Sequence, residues 1–288
     1  MTFNHLISFN RNNKLRLIEL LIGHLLWSLS LLVIFVFVRK VENTSPVWSF
    51  GLMILQLYFA GLLIFPVLRL QSENRSRGFY LFWGIILALL IWMFHQLSLN
   101  GSWQSLLNAI QSGLLLMTGT IVGAALARYV KKFWEILPLC FAMSVADFSS
   151  WLIGPTANFA QTIEQYYLKP EGPPPAIDMI LVKLAFPGTE NLLPVFGLSD
   201  WIMVAFFIVV AQRYQINDNL LGFRRDFGPE SKHLGRFYLP VSLVALLSAV
   251  ICAQATGLFI PALPVIALVM LVWFGGHGLL KRTRHEKR

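Results

Sequence analysis

Long runs of apolar residues, separated by short polar segments, make up most of this 288-residue chain. A helix of about 20 apolar residues is long enough to cross the hydrocarbon core of a membrane. By that criterion the pattern predicts eight membrane-spanning helices, at residues 17–38, 47–69, 78–98, 103–127, 133–153, 192–212, 237–257 and 260–280. The predicted fold class is therefore an all-α polytopic membrane protein.

The composition agrees with a single membrane domain over residues 1–288. Hydrophobic residues make up 56% of the chain and charged residues 13%, whereas an average soluble domain carries about 25% charged residues. The first predicted span follows a basic stretch, as in a signal peptide, but it is too long and lacks a small-residue cleavage site. We therefore expect it to be a retained anchor. The longest non-spanning segment is predicted at 154–191.

The net charge of +9 follows the expected membrane topology rather than a nucleic-acid surface. Of the 23 Lys and Arg residues, 19 lie in the two termini and in three turns, at 69–77, 128–132 and 213–236, and the alternate loops hold four. Cytoplasmic segments are enriched in Lys and Arg, so both termini are predicted to be cytoplasmic. The expected partners of these charges are anionic lipids. The absence of a targeting extension favours a prokaryotic cytoplasmic membrane.

Two acidic residues fall in the interior of predicted spans, Asp147 in FAMSVADFSSWLIGP and Asp200 in FGLSDWIMVAFF, whereas Glu19 and Glu135 lie near the cytoplasmic ends of theirs. A charge at membrane depth costs about 2.5–3.5 kcal/mol on insertion scales, and such residues are usually functional. Asp147 is predicted about 9 Å below the outer end of its helix, and Asp200 about 12 Å below the outer start of the next. Because these helices are sequential and antiparallel, the two carboxylates are expected to meet.

Two carboxylates in contact share one proton, so the pair holds a general base and a general acid together. This chemistry needs no metal or cofactor, and the sequence has no HExxH, no clustered Cys and His, and no GxSxG. Two alternatives use the same residues: a structural contact between helices, or a proton relay in a transporter. A transporter needs a polar path, but the first four spans offer only scattered residues, which are Gln56, His95, Gln104 and Gln111. Cys140 and Cys252 are predicted to be buried structural thiols.

A third feature is the segment GLFIPALPVIALVM at 257–270. Pro261 and Pro264 disfavour regular helix, so the backbone here is expected to be irregular, with free carbonyl groups. The alternative is a proline start to the last helix, which is a common arrangement.

The three features in this order resemble the presenilin and signal peptide peptidase group, the GxGD intramembrane aspartyl proteases. The matching residues are Asp147 with Gly154-Pro155, then Gly197-Leu198-Ser199-Asp200, then Pro261-Ala262-Leu263-Pro264. The resemblance covers roughly 133–280 as the catalytic half and leaves the four spans within 17–127 as a scaffold. It implies that Asp147 and Asp200 are catalytic and that the substrates are transmembrane helices, which unwind locally. It also implies substrate-binding roles for Gly197, Leu198, Ser199, Pro261, Ala262, Leu263 and Pro264.

Two positions depart from the family motif. Ser199 stands where the family has glycine, and Ala146 stands where it has tyrosine before the first aspartate. A member that binds helices without cutting them is therefore the alternative implied by the resemblance.

The predicted orientation places the loop between the aspartate helices outside, which is similar to signal peptide peptidase and opposite to presenilin. That branch implies substrates with a cytoplasmic N-terminus, such as signal peptides and type II anchors. The short loop implies no obligatory partner subunit and leaves self-association open. Within it, AIDMILVKLAF at 176–186 is predicted to be either a strand that pairs with unwound substrate or a short interfacial helix.

Overall fold

A computed structural model of the protein describes residues 3–41, 45–71, 77–97, 102–152, 155–169, 174–221, 238–256 and 261–285. This part of the chain is mostly helical, as predicted. Its helices are α1 (Phe3–Val38), α2 (Pro46–Leu62), α3 (Phe65–Gln71), α4 (Arg77–Gln96), α5 (Ser102–Ala127), α6 (Ile136–Leu152), α7 (Pro155–Leu168), α8 (Leu198–Arg213), α9 (Val241–Thr256) and α10 (Ala262–His285). The all-α prediction is wrong in one place, because β1 (Leu181–Leu184) and β2 (Leu193–Gly197) form an antiparallel hairpin.

Four helical segments of the described chain are long and apolar enough to cross a membrane: Ile18–Val38, Pro46–Leu68, Arg77–Gln96 and Trp103–Ala127. They coincide with the first four predicted spans. Two shorter apolar helices, at 241–256 and 262–276, lie where the last two spans are predicted. The helices α6 and α8 have 17 and 16 residues, about 26 and 24 Å of helix, which is slightly less than the hydrocarbon thickness of about 30 Å.

The second of these segments is not one continuous helix. α2 ends at Leu62, and α3 begins at Phe65 after a turn. Pro66 explains the break, because its ring clashes with the carbonyl four residues earlier and it cannot donate a helical hydrogen bond.

The described residues fall into two compact units. The first unit comprises Met1–Ala124 and Met179–Leu198, that is, the helices up to α5 together with the hairpin. α5 is buried along most of its length, and α1 approaches it closely at Gly113. A Cβ atom on Gly113 would lie 2.0 Å from Oγ of Ser28 and 3.1 Å from the carbonyl oxygen of His24. Glycine is thus required where the two helices meet.

The second unit comprises Ala125–Asp178 and Ser199–Arg288. In it, α10 packs on both α6 and α9, and α6 contacts α7. α8 is almost entirely buried after its first turn, and the ring of Phe207 packs against that of Phe274 from α10 at 6.0 Å between centroids. α7 occupies much of the segment predicted to be non-spanning. It begins at Pro155, while Gly154 lies outside the described residues.

Candidate catalytic site

Asp147 lies in the second half of α6, next to the start of α10. Its carboxyl group accepts a hydrogen bond from the backbone N–H of Leu263, in the first turn of α10. The first N–H groups of a helix have no acceptor inside the helix and carry its positive dipole, so a carboxylate stabilises them well. The first aspartate and the Pro-Ala-Leu segment, far apart in sequence, therefore meet.

The other side of this carboxyl group is unsatisfied. Oδ2 of Asp147 is buried and has no hydrogen-bond partner within the described residues. A buried polar atom of this kind costs about 1–3 kcal/mol, and a catalytic role or a bound water or ion is among the explanations for such an atom. The predicted contact of the two carboxylates would suggest a direct bond between Asp200 and Oδ2 of Asp147. Because Oδ2 has no partner within the described residues, that bond is not made.

Asp200 lies in the first turn of α8, which begins at Leu198. The prediction that Asp200 lies eight residues inside a helix is therefore wrong, since residues 193–197 are strand β2. Pro194 favours an extended backbone at this point, and pairing with β1 satisfies the remaining backbone groups. Asp200 is half-buried, and the next residue, Trp201, is fully buried. Both aspartates therefore lie near the positive end of a helix, Asp200 in the first turn of α8 and Asp147 beside the first turn of α10.

Ser199 and Ala146, the two departures from the family motif, both have exposed side chains. Gly197 ends β2, Leu198 begins α8, and Ser199 follows in its first turn. A serine at position 199 therefore requires no change in the packing of the core. Likewise, alanine in place of tyrosine at position 146 leaves no cavity in the core.

The Pro-Ala-Leu-Pro segment begins a helix. Pro261 precedes α10, and Ala262, Leu263 and Pro264 form its first turn. The predicted irregular backbone is wrong at 262–264, because first-turn N–H groups lack helical acceptors and a proline there loses no hydrogen bond. Residues 257–260 lie outside the described chain. The side chain of Leu263 is buried, whereas Ala262 and Pro264 are half-buried.

The segment 176–186 contains a 3-10 turn at Ala176–Ile180 followed by β1. The extended conformation is thus confirmed at 181–184, whereas the pairing with unwound substrate stays a prediction. β1 is buried and pairs with β2, which continues directly into α8.

β1 and the residue that follows it, Ala185, are hydrogen-bonded on both sides. One edge pairs with β2. On the other, Oγ of Ser112 accepts a hydrogen bond from the N–H of Lys183 at 3.0 Å, and Oε1 of Gln56 accepts one from the N–H of Ala185 at 2.9 Å. In the sequence Gln56 stands out only as a scattered polar residue, and Ser112 was not predicted to have a role. The available signal was a polar face on an apolar helix, since Asn108, Gln111 and Ser112 recur at helical spacing on α5.

The cysteines differ in environment. Cys140 is buried, as predicted, but Cys252 is exposed on α9, so the prediction of a buried thiol is wrong there. Cysteine is apolar enough to face lipid as readily as protein. Within the described ranges no three His, Cys, Asp or Glu residues cluster in a way that would hold a metal ion.

Comparisons with known proteins do not assign the chain to a family. Neither the protein-family models nor the curated protein sequences give a match. The likeness to the GxGD proteases therefore stays a prediction from the motifs.

Proposed function

We propose that this protein is an intramembrane aspartyl protease of the signal peptide peptidase type, with Asp147 and Asp200 as its catalytic residues. The observation that carries the proposal is the contact of Asp147 with Leu263, together with the buried, unsatisfied Oδ2 atom of the same carboxyl group. An aspartate held in place by one oxygen, with the other oxygen lacking a partner, is suited to bind and activate a water molecule.

In this mechanism the two carboxyl groups share one proton and act through a water molecule. The ionised carboxylate takes a proton from the water, and the water oxygen bonds to the carbonyl carbon of the peptide. The protonated carboxyl group gives its proton to the carbonyl oxygen, which yields a gem-diol. The carboxyl group that took the water proton then passes it to the amide nitrogen as the carbon–nitrogen bond breaks, and the other carboxyl group takes back a proton from a hydroxyl of the gem-diol. The products are a carboxylic acid and an amine. Because each carboxyl group gains and loses one proton, the pair ends ready for another cycle.

In this proposal α6, α8, α9 and α10 are four further membrane spans. Together they form a presenilin-like catalytic half. Both termini are then cytoplasmic, and the substrates are signal peptides or type II anchors in a prokaryotic membrane. The protein acts on them without an obligatory partner subunit. The strand predicted to pair with unwound substrate, β1, already pairs with β2 on one edge, and on the other the N–H of Lys183 bonds Ser112.

One alternative, the proton-coupled transporter, loses support from the same contacts. Gln56 and Gln111 are two of the four polar residues named for a path through the first four spans, with His95 and Gln104. Gln56 and Gln111 are instead hydrogen-bonded to the backbone of the hairpin segment, at Ala185 and Met179.

The test is cleavage of a type II transmembrane reporter by the full-length protein reconstituted in liposomes. Asp147→Asn and Asp200→Asn should each reduce cleavage by at least about a hundredfold, since each removes an acid–base group. Glu190→Gln changes an exposed carboxyl group outside the site and should cleave like the native protein. Thermal unfolding shows whether each variant is folded. Continued cleavage by the double asparagine variant would rule out the two-aspartate mechanism.

A further inference from the structure

The turn after α5 carries a cluster of positive charge. Residues 128–132, which we call the basic turn, lie between α5 and the 3-10 turn that precedes α6, and they include Arg128, Lys131 and Lys132. Lys131 and Lys132 are exposed, and Arg128 is half-buried. The acidic residue that follows them, Glu135, accepts a hydrogen bond on Oε2 from the N–H of Lys131 at 2.8 Å. Three cations beside one carboxylate leave the turn positive.

Arg213 brings a fourth cation to the basic turn from the end of α8. Its Nη1 donates hydrogen bonds to the carbonyl oxygen of Ala127 at 3.1 Å and to that of Arg128 at 3.2 Å. The last carbonyl groups of a helix have no donor inside the helix and carry its negative dipole, so a cation stabilises them. The guanidinium group of Arg213 is therefore held beside the basic turn, although its side chain is exposed.

Apolar contacts fix the backbone of the basic turn. Val130 is buried between the charged residues, and its carbonyl oxygen accepts a hydrogen bond from the phenol of Tyr214 at 3.3 Å. Directly after the turn, the ring of Phe133 packs against the rings of Tyr214 and Phe274, with 5.6 and 5.5 Å between centroids. A ligand that binds the cations therefore does not have to order the backbone that carries them, which favours binding.

An apolar stripe begins beside the basic turn and follows α6. It consists of Trp134, Leu137, Phe141 and Val145, which recur every three or four residues as on one helix face and have exposed fractions of 64%, 61%, 69% and 50%. Nζ of Lys132 lies 5.9 Å from the centre of the Trp134 ring, within range of a cation–π contact. Tryptophan beside a cation at the end of an apolar helix is typical of the membrane–water interface. The surface therefore joins a cationic end to an apolar length.

We propose that the basic turn and the apolar stripe bind one anionic phospholipid, with its phosphate group at Lys131 and Lys132 and an acyl chain along α6. The occupant is a lipid rather than a soluble phosphate, because the cations continue into apolar surface that a soluble anion would leave exposed to water. The general enrichment of cations in cytoplasmic segments defines no place for a lipid, whereas a turn held by Tyr214 and Arg213 defines one. The site goes beyond the proposed function and does not depend on it.

The test measures the binding of phosphatidylglycerol and of phosphatidylcholine with the same acyl chains to the full-length protein, by native mass spectrometry from detergent micelles. Lys131→Gln combined with Lys132→Gln removes two exposed charges, and the thermal midpoint shows that the variant is folded. Arg39→Gln combined with Lys40→Gln is the matched control, because these are also adjacent exposed cations after an apolar helix, in a loop whose third charged residue is Glu42. Lys131→Arg combined with Lys132→Arg keeps the charge of the basic turn.

The native protein should bind phosphatidylglycerol more tightly than phosphatidylcholine. The double glutamine variant should lose about tenfold to thirtyfold in affinity for phosphatidylglycerol, since each cation near an anionic lipid surface contributes about fivefold. The matched control and the double arginine variant should both stay close to the native affinity. Equal losses in the glutamine variant and in the control, or equal native affinities for the two lipids, would overturn the site. A large molar excess of sn-glycerol 3-phosphate should not displace the lipid, and displacement would show that a soluble phosphate is the occupant instead.

Discussion

The backbone N–H of Leu263 donates a hydrogen bond to the carboxyl group of Asp147, which joins the first turn of α10 to the second half of α6. The donor belongs to the peptide backbone, so every residue at position 263 provides it except proline, which has no N–H. The leucine side chain is itself buried. Leu263 therefore has two separable functions, packing through its side chain and orienting Asp147 through its amide.

Leu263→Pro should reduce cleavage of a transmembrane reporter by about tenfold to a hundredfold, since a hydrogen bond to a charged group contributes about 1.5–3 kcal/mol. Proline is tolerated in the first turn of a helix, so α10 should still form. Leu263→Ala is the control, because it shortens the side chain but keeps the N–H. Equal losses in the two variants would show that packing, rather than the hydrogen bond, accounts for the effect.

The apolar pattern predicted the first four spans well, because a long apolar run admits few structures other than a buried helix. The same pattern gave a wrong start for α8, because the whole apolar run was assigned to one helix. The run from 192 to 212 is long enough to span a membrane, yet its first part is strand β2, which pairs with residues 181–184. That pairing is non-local, and only Pro194 signals it within the run.

The candidate site was partly predictable. The two aspartates and the Pro-Ala-Leu segment were visible as motifs, whereas the contact between Asp147 and Leu263 was not predicted. The contact between the two carboxylates was predicted from the depth of each aspartate in its helix. Because α8 begins only at Leu198, the predicted depth of Asp200 is wrong, and the contact itself stays a prediction. The hydrogen bonds of Gln56 and Ser112 to Ala185 and Lys183 were not predicted, because these two residues lie on different helices, far in sequence from the segment that they bind.

Ser199→Gly tests the main departure from the family motif. The side chain of Ser199 is exposed in the first turn of α8, so its loss should leave cleavage within about threefold of native, as is usual for surface positions. Reporter cleavage by the two proteins, measured side by side, decides the point. A glycine variant that cuts while the native chain does not would instead favour the alternative of a protein that binds helices without cleaving them.

Tyr167→Phe tests how the segment before the hairpin is held. The phenol of Tyr167 donates to Oδ1 of the buried Asp178 at 2.9 Å. Loss of this bond should lower the free energy of unfolding by about 1–2 kcal/mol, seen as a lower thermal midpoint in micelles. Tyr166→Phe is the matched control, since Tyr166 packs edge-on against Tyr167 with 5.4 Å between ring centroids.

The same tyrosine should make stability depend on alkaline pH. Burial raises the pKa of Tyr167 well above its ordinary value, and the charge of Asp178 and the hydrogen bond to it raise that pKa further. The folded protein therefore holds the proton more tightly than the unfolded chain, whose tyrosines titrate near pH 10. The stability that Tyr167 contributes is complete below about pH 10 and is lost as the pH rises above it. Tyr167→Phe should lose less stability than the native protein between about pH 9 and 11, and equal losses would contradict this assignment.

Gly113→Ala tests the close approach of α1 and α5. The added methyl would collide with Oγ of Ser28 and press on the carbonyl oxygen of His24, and overpacking of this kind costs about 1–3 kcal/mol. Gly51→Ala is the control, because a Cβ there meets no atom within 4 Å and alanine favours the helix by up to about 1 kcal/mol. Adding Ser28→Ala should recover part of the loss, since it removes the nearer of the two obstacles while the carbonyl of His24 stays in place. Thermal unfolding of the three variants in the same micelles measures these differences, and a Gly113→Ala protein as stable as the native one would show that the helices are farther apart.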